Sequence, residues 1–288
     1  MIKTVSDFIE SDINTALFLV DIGVYGFREV LDKYPERAMN IGVFEDGMIS
    51  VAAGLSLKNI IPTIYGISPF IVNRAFEQLK LDFGYQKLPG NFITTGASYD
   101  FSTLGYSHYC PEDLGLIKMI PGFEFISPGN PTEFDILFNS TCKNENPTYF
   151  RLSDYSNTTI CNTEFGKATV IKQGSKAVVI AVSTMLDKVI QACENYDVTI
   201  LYYNTLIPFD YKTLKNQNIN NVLLCEPHYY GLLTQEVVDA LQGESIRLDY
   251  VGLPREIYRN YGTKLEKDEF YKLTIDNIQS KLNNIITK

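Results

Sequence analysis

The chain has 288 residues and a formal net charge of −9. Nucleic acids and anionic membranes bind basic surfaces, so this charge argues against both as partners. The five cysteines are odd in number and lack a CxxC pair, which is typical of a reducing cytosol and disfavours a disulfide framework or a zinc site. No signal-peptide core and no bilayer-spanning run is visible. We expect a cytoplasmic protein of two domains.

Apolar strand patterns alternate with helix patterns along the first half of the chain. The pattern predicts helices at residues 6–14, 27–31, 68–81, 111–119 and 131–139, and strands at residues 16–20, 62–65, 92–95, 123–126 and 148–152. Such alternation is typical of a parallel sheet covered by helices on both faces.

Residues 40–55 are the most informative stretch. A short apolar segment turns through Gly42 to Gly47 and becomes an apolar helix dense in small residues. Glu45 falls in the first turn of this helix, where the helix dipole favours a carboxylate. Because the helix has no wide polar face, we expect it to be buried. Glu45 would then lie at the mouth of a buried element, either supporting its helix or serving a site.

A polar, aperiodic stretch at residues 154–159 predicts a domain boundary. We expect one domain over residues 1–155, a linker over 156–166 and a second domain over 167–288. The second domain repeats the α/β pattern. Strands are predicted at residues 168–171, 177–182, 198–202, 222–225 and 246–251, and helices at residues 185–195, 231–241 and 267–283.

Several short motifs occur in a consistent order. They are Pro35-Glu36-Arg37, Ile41-Gly42-Val43-Phe44-Glu45, Ala52-Ala53-Gly54-Leu55, Pro69-Phe70, Arg74-Ala75-Phe76-Glu77-Gln78, Gly105-Tyr106-Ser107-His108 and Pro147-Thr148-Tyr149-Phe150-Arg151. Together they resemble the pyrimidine-binding domain of the transketolase family of thiamine-diphosphate enzymes. The second half resembles the family's C-terminal domain. The resemblance implies two α/β domains, each a mostly parallel sheet covered by helices.

The resemblance also implies residues near the cofactor. Glu45 matches the glutamate that hydrogen-bonds N1′ of the cofactor's aminopyrimidine and favours its imino tautomer. Phe70 matches an aromatic residue that packs on that ring. Asp21 and Ile22, at the end of a predicted strand, match residues close to the cofactor, although Asp21 is equally consistent with a helix cap. Tyr65 would replace an aromatic residue that the family often carries shortly before Phe70.

Two further residues are implied for the substrate. His108 matches a histidine that donates a hydrogen bond to a sugar oxygen or the developing alkoxide, with a loop histidine bonded to backbone as the alternative. Arg151 matches the first of two arginines near the end of the last strand. At the second position this chain carries Asp154, which would repel a phosphate. Tyr109 also stands where the family has a second histidine or a glutamine.

The family's diphosphate-binding motif, G-D-G with a distal asparagine, has no match here. We therefore expect the C-terminal subunit of a split transketolase, with no metal site of its own. A partner N-terminal subunit would hold the diphosphate of thiamine diphosphate and Mg²⁺, or Ca²⁺ or Mn²⁺, in an assembly of two copies of each chain around a homodimer core.

We expect this subunit to take part in transferring a two-carbon ketol unit between sugars, with a non-standard sugar substrate. Two alternatives keep the fold and change the role. One is a subunit similar to deoxyxylulose-phosphate synthase or to the beta subunit of 2-oxo acid dehydrogenases. The other is a non-catalytic assembly subunit.

Overall fold

The computed structural model describes residues 1–287 and contains two mostly parallel β-sheets flanked by helices, which confirms the expected fold class. The strands are β1 Thr15–Leu19, β2 Ala38–Asn40, β3 Ile61–Ile67, β4 Gly90–Thr95, β5 Glu124–Ile126, β6 Pro147–Arg151, β7 Thr169–Lys172, β8 Val178–Val182, β9 Thr199–Tyr203, β10 Thr205–Ile207, β11 Asn221–Tyr229 and β12 Arg247–Leu253. The helices are α1 Ile2–Ser11, α2 Val24–Lys33, α3 Glu45–Ser56, α4 Phe76–Gln78, α5 Asp113–Lys118, α6 Pro131–Thr141, α7 Leu186–Ala192, α8 Tyr211–Lys215, α9 Thr234–Ala240, α10 Lys264–Phe270 and α11 Ile275–Ile286. Among the described residues, no helix is long and apolar enough to cross a membrane.

The first sheet has the strand order β10-β5-β6-β4-β3-β1-β2. All neighbours are parallel except β10, so the carboxyl ends of β1, β3, β4 and β6 meet at one edge. Every residue of β1 and β6 is buried, as expected for strands covered on both faces. Ligands of open α/β sheets bind outside this carboxyl edge.

The second sheet has the order β12-β11-β8-β9-β7, in which β7 is antiparallel. One strand of the second half does not join it. Thr205–Ile207, which the sequence pattern did not reveal, pairs antiparallel with β5 of the first sheet. A strand of three residues carries little local signal, because its pairing is decided by tertiary context. The domain bounds 1–155 and 167–288 stay a prediction.

Three predicted helices have different bounds. The first begins at Ile2, four residues earlier than expected. The helix predicted at 68–81 consists of π-helical turns, Phe70–Arg74 and Leu79–Tyr85, on either side of α4. The helix predicted at 267–283 is divided into α10 and α11. Thr274 starts the second piece because its hydroxyl accepts a hydrogen bond from the Asn277 amide.

A buried ion pair connects the first sheet to its helices. The Nε of Arg151, on β6, donates to Oδ2 of Asp113, on α5, at 2.7 Å, and neither side chain is more than 1% exposed. Burial alone would lower the pKa of Arg151, but Asp113 and Asp100 raise it. The guanidinium is therefore charged and depends on its carboxylate.

Removing one partner of this pair should be costly. We expect Asp113→Ala to lower the free energy of unfolding by about 3–5 kcal/mol, because Arg151 would be left as an uncompensated buried charge. Urea unfolding followed by circular dichroism measures the difference. Asp7→Ala, which breaks the exposed pair between Lys3 and Asp7, is the control and should leave the midpoint unchanged. Equal effects of the two substitutions would contradict the expectation.

Candidate functional site

Glu45 lies in the first turn of α3, and its side chain is 2% exposed. It is held there because the helix buries its inner face, including Met48, Ile49 and Ala52. One carboxylate oxygen, Oε2, accepts a hydrogen bond from Nη1 of Arg74 at 2.5 Å. The structure thus places a buried carboxylate with a single charged partner near the carboxyl edge of the first sheet.

Arg74 joins Glu45 to the aromatic residue predicted for the site. Its guanidinium lies 4.5 Å from the centroid of the Phe70 ring, within the range of a cation–π contact. The sequence analysis used Arg74 only as part of a motif and gave it no role. The available signal was its spacing of four residues from Phe70, which places both side chains on one face of a helical segment.

His108 completes the cluster from the opposite side. It ends a short 3₁₀ turn that begins at Tyr106, and its ring meets Phe70 edge to face with 5.3 Å between centroids. A second aromatic ring, Phe101, lies 6.4 Å away. The Oγ of Ser107 is 3.1 Å from Nδ1. Glu45, Phe70 and His108, far apart in sequence, are therefore neighbours around Arg74.

Asp21 lies at the end of β1 with a positive φ of 59°. Its amide donates to Oδ1 of Asn40 at 2.9 Å, and its Oδ1 accepts from Nδ2 of Asn40 at 2.8 Å. The same Asn40 oxygen accepts from the amide of Gly42, at the start of the turn that leads to Glu45. Ile22 follows Asp21 and is half-buried. This polar network connects the end of β1 to the Glu45 turn.

Tyr65 is half-buried on β3, and burial raises its pKa. Its ring packs against Phe27, with 6.0 Å between centroids, and lies close to Gly23. At Gly23 an added Cβ would come within 2.7 Å of the Tyr65 ring, and φ is 74°, so glycine is required there. No ring contact or hydrogen bond of the described residues joins Tyr65 to Glu45 or Phe70.

Arg151 is in the interior rather than at the surface of the crevice. Besides its bond to Asp113, its Nη2 donates to Oγ of Ser98 at 2.6 Å. Ser98 in turn donates to the backbone oxygen of Pro227 at the end of β11. These contacts are structural ones, and the substrate-binding role expected of Arg151 stays a prediction.

The two departures from the family pattern have different surroundings. Tyr109 is 2% exposed and donates its hydroxyl to the backbone oxygen of Ser102 at 2.7 Å, so its polar atom is turned away from the crevice. Asp154 is exposed, and its amide donates to Asp100 at 3.0 Å. Burial raises the pKa of Asp100 to about 6. An acidic group therefore occupies the position where the family carries an arginine.

The second histidine is part of the core. His228 is fully buried at the end of β11, where its Nδ1 donates to the backbone oxygen of Tyr229 at 3.2 Å, and Nε2 has no partner among residues 1–287. Burial lowers the pKa of His228 to about 3. The neighbouring Glu226 accepts backbone hydrogen bonds from Gly231 and Leu233, and burial raises its pKa to about 8.

The described part of the chain holds no group of three or more His, Cys, Asp or Glu side chains arranged to bind a metal ion. All five cysteines are free and buried, and burial raises the pKa of Cys110 well above its usual value. No thiol is therefore activated as a nucleophile. The chemistry that this chain can supply is acid–base and hydrogen-bonding chemistry at Glu45 and His108.

Comparisons with known proteins agree with this geometry. The family described as the transketolase pyrimidine binding domain matches residues 10–157. An uncharacterized 33.6 kDa protein in the fasciation locus of Rhodococcoides fascians is 33% identical over 98% of this chain and 92% of that protein. One of the two subunits of an apulose-4-phosphate transketolase from Actinobacillus succinogenes is 25% identical over 86% of this chain and 84% of that protein.

A solved structure described as split gene transketolase, inactive beta4 tetramer, has the same fold. It superposes with a TM-score of 0.88 and 24% identity, and the match covers 99% of this chain and 96% of that one. The chain belongs to the transketolase family, whose members depend on thiamine diphosphate. The resemblance to the C-terminal subunit of a split transketolase is thereby confirmed.

His228 gives a pH dependence of stability with a definite sign. Between pH 6.5 and about 3, the unfolded histidine binds a proton that the folded one does not, so its contribution to stability is present above pH 6.5 and is lost as pH falls. From pH 7.5 to pH 5 the wild type should lose about 2 kcal/mol more than His228→Gln. Urea unfolding at both pH values provides the comparison, and parallel losses in the two proteins would refute it.

Proposed function

We propose that this chain is the C-terminal subunit of a split transketolase-like enzyme, which transfers a two-carbon ketol unit between sugars with thiamine diphosphate. The observation that carries the proposal is the buried Glu45 carboxylate next to Phe70 and His108. The non-catalytic alternative is disfavoured, because a subunit with only an assembly role would not need these three side chains together.

The residues fit an aminopyrimidine ring. Such a ring needs a carboxylate at its edge and an aromatic side chain against its face. Glu45 keeps one oxygen, Oε1, free of hydrogen bonds from this chain, and Phe70 offers a half-buried ring. Arg74, whose side chain is 44% exposed, covers the ring without being locked in place. Asp21, Ile22 and Tyr65, at the ends of neighbouring strands, would border the same ring.

Bound thiamine diphosphate would supply the stabilised carbanion that the transfer requires. The protein's own contribution follows from its geometry. Glu45 would hold a proton against N1′ of the aminopyrimidine, and Arg74 would fix the carboxylate in place through its 2.5 Å bond. His108 would donate a hydrogen bond to a substrate oxygen, oriented by its contact with Phe70.

A second polypeptide would have to complete the site. This chain lacks the G-D-G motif and a metal-binding group in residues 1–287, so the diphosphate and Mg²⁺, Ca²⁺ or Mn²⁺ would be held by an N-terminal subunit. Apolar side chains beside Glu45, namely Val43, Phe44 and Val51, are exposed. Covering them supports an interface at this face, in an assembly of two copies of each chain.

Cofactor binding tests the split-enzyme proposal. Calorimetry with thiamine diphosphate and Mg²⁺ should show no binding to this chain alone and binding after the N-terminal subunit is added. Glu45→Gln should still bind in the complex, yet turnover of hydroxypyruvate should fall about 10²–10⁴-fold, because the proton at N1′ is no longer held.

The matched control is Glu124→Gln. Glu124 is also a buried carboxylate, but it accepts hydrogen bonds from Asn144 and Thr148 away from the cluster, and its substitution should leave turnover within about twofold. Tight binding by the chain alone would contradict a shared site. Full turnover by Glu45→Gln would remove its catalytic role.

We further propose that the sugar is not an ordinary pentose phosphate. Asp154 at the crevice would repel a phosphate, and Arg151 has its charge paired with Asp113. A modified, unphosphorylated or nucleotide-linked sugar, or a 2-oxo acid donor, fits these surroundings better.

Paired donor assays test this choice of substrate. With the reconstituted complex, xylulose 5-phosphate should be a poor donor compared with hydroxypyruvate, and Asp154→Arg should lower its KM about tenfold or more, by replacing repulsion with a charge-assisted contact. Asp154→Asn separates loss of repulsion from gain of attraction. Turnover of xylulose 5-phosphate by the wild type at the hydroxypyruvate rate would rule out the proposal.

A further inference from the structure

His108 lies on a loop whose two ends are joined. Ser98 and Cys110 form an isolated antiparallel bridge, with 2.8 Å between the Cys110 amide nitrogen and the Ser98 oxygen. Across the loop, the Tyr109 hydroxyl donates to the backbone of Ser102. Residues 98–110 are therefore a compact unit with its own internal contacts. The place of His108 in the crevice is then set by what holds this unit from outside.

The outside contacts come from the second half of the chain. Tyr99, which is 1% exposed, donates its hydroxyl to Oδ1 of Asp268 on α10 at 2.5 Å. On the same helix, the ammonium group of Lys267 lies 4.9 Å from the centroid of the Tyr109 ring. One anchor therefore holds the beginning of the loop, and the other holds the residue that follows His108.

Asp268 is a fixed acceptor. Lys188, on α7, lies 2.7 Å from its Oδ2, and Lys264, one turn earlier on α10, lies 2.8 Å from the same atom. Burial would raise the pKa of Asp268, but Lys264 and Lys188 hold it below the usual range. The bond from Tyr99 therefore has an ionised acceptor, which makes it stronger than a bond between neutral groups.

Packing beneath the loop is incomplete. A cavity of about 200 Å³ separates the start of the loop from α10, and Ser98, Tyr99 and Asp100 line it on one side, with Lys264 and Asp268 on the other. A void gives its lining no dispersion contacts. The polar contact between Tyr99 and Asp268 consequently does more to set the loop's position than apolar packing at this point.

We propose that Tyr99 and Asp268 are positioning residues, whose hydrogen bond holds loop 98–110 so that His108 faces Phe70 and the substrate. This inference rests on the proposed function for the role of His108, but the position of the loop can be tested separately. It assigns the second half of the chain a part in the substrate site, through α10.

The test compares two matched tyrosine substitutions. Tyr99→Phe removes the hydroxyl that reaches Asp268. Tyr203→Phe removes the hydroxyl of another fully buried tyrosine, which donates to the backbone of Asp210 at 2.9 Å. Both changes keep the ring and delete one hydrogen bond, so any general loss of stability is shared. Only the first should affect the loop.

The chain contains two histidines, so NMR of full-length protein labelled at histidine Cε1 reads the loop directly. His108→Gln identifies the His108 signal, whose shift depends on the rings of Phe70 and Phe101. We expect Tyr99→Phe to shift or broaden that signal and Tyr203→Phe to leave it in place. An unchanged signal in Tyr99→Phe, or equal changes in both variants, would overturn the proposal.

The kinetic readout uses the complex with the N-terminal subunit and hydroxypyruvate as the probe. Tyr99→Phe and Asp268→Asn should each lower kcat/KM about tenfold, because small misplacements of a substrate-contacting group are costly. Tyr203→Phe should stay within about twofold of wild type. Wild-type values in both loop variants would overturn the positioning role. No turnover by the wild-type complex would instead refute the proposed function, while the NMR signal still decides whether the Tyr99–Asp268 bond sets the loop.

Discussion

The buried ion pair between Arg151 and Asp113 is the contact on which the centre of the molecule depends. It connects the last strand of the first half, β6, to helix α5. Through Ser98 and Pro227 it also reaches the His108 loop and the end of β11. Because a desolvated guanidinium must keep its partners, this one residue restricts how the sheets, the loop and the second half can be arranged. The candidate site is built at the edge of that arrangement.

The site itself combines rigid and adjustable parts. Glu45 is fixed by a buried helix, whereas Arg74, its charged partner, is substantially exposed. Phe70 is carried by a π-helical turn, a geometry that is rare and concentrated at functional sites. A rigid carboxylate provides the preorganised charge that acid–base chemistry requires, and an exposed arginine can move when a ring approaches Phe70.

Much of the fold was predictable, because buried parallel strands and their helices have strong periodic signals, as at β1 and α3. The grouping of Glu45, Phe70 and His108 was predictable only through family resemblance, since no local pattern brings residues so distant in sequence together. Arg74 was missed as a partner of Glu45 for the same reason. The interior position of Arg151 was also not readable, because a motif identifies a residue type but not the carboxylate that it pairs with.

The strand β10 has a consequence for how the chain can be divided. Thr205–Ile207 covers the edge of β5 in the first sheet, although it belongs by sequence to the second half. A chain cut within residues 156–166 would expose that edge, with its unpaired amide and carbonyl groups, and such edges promote aggregation. The two halves are therefore interlocked by a borrowed strand and form one cooperative folding unit. Gene fission or fusion in this lineage can succeed outside this pair of sheets but not between them.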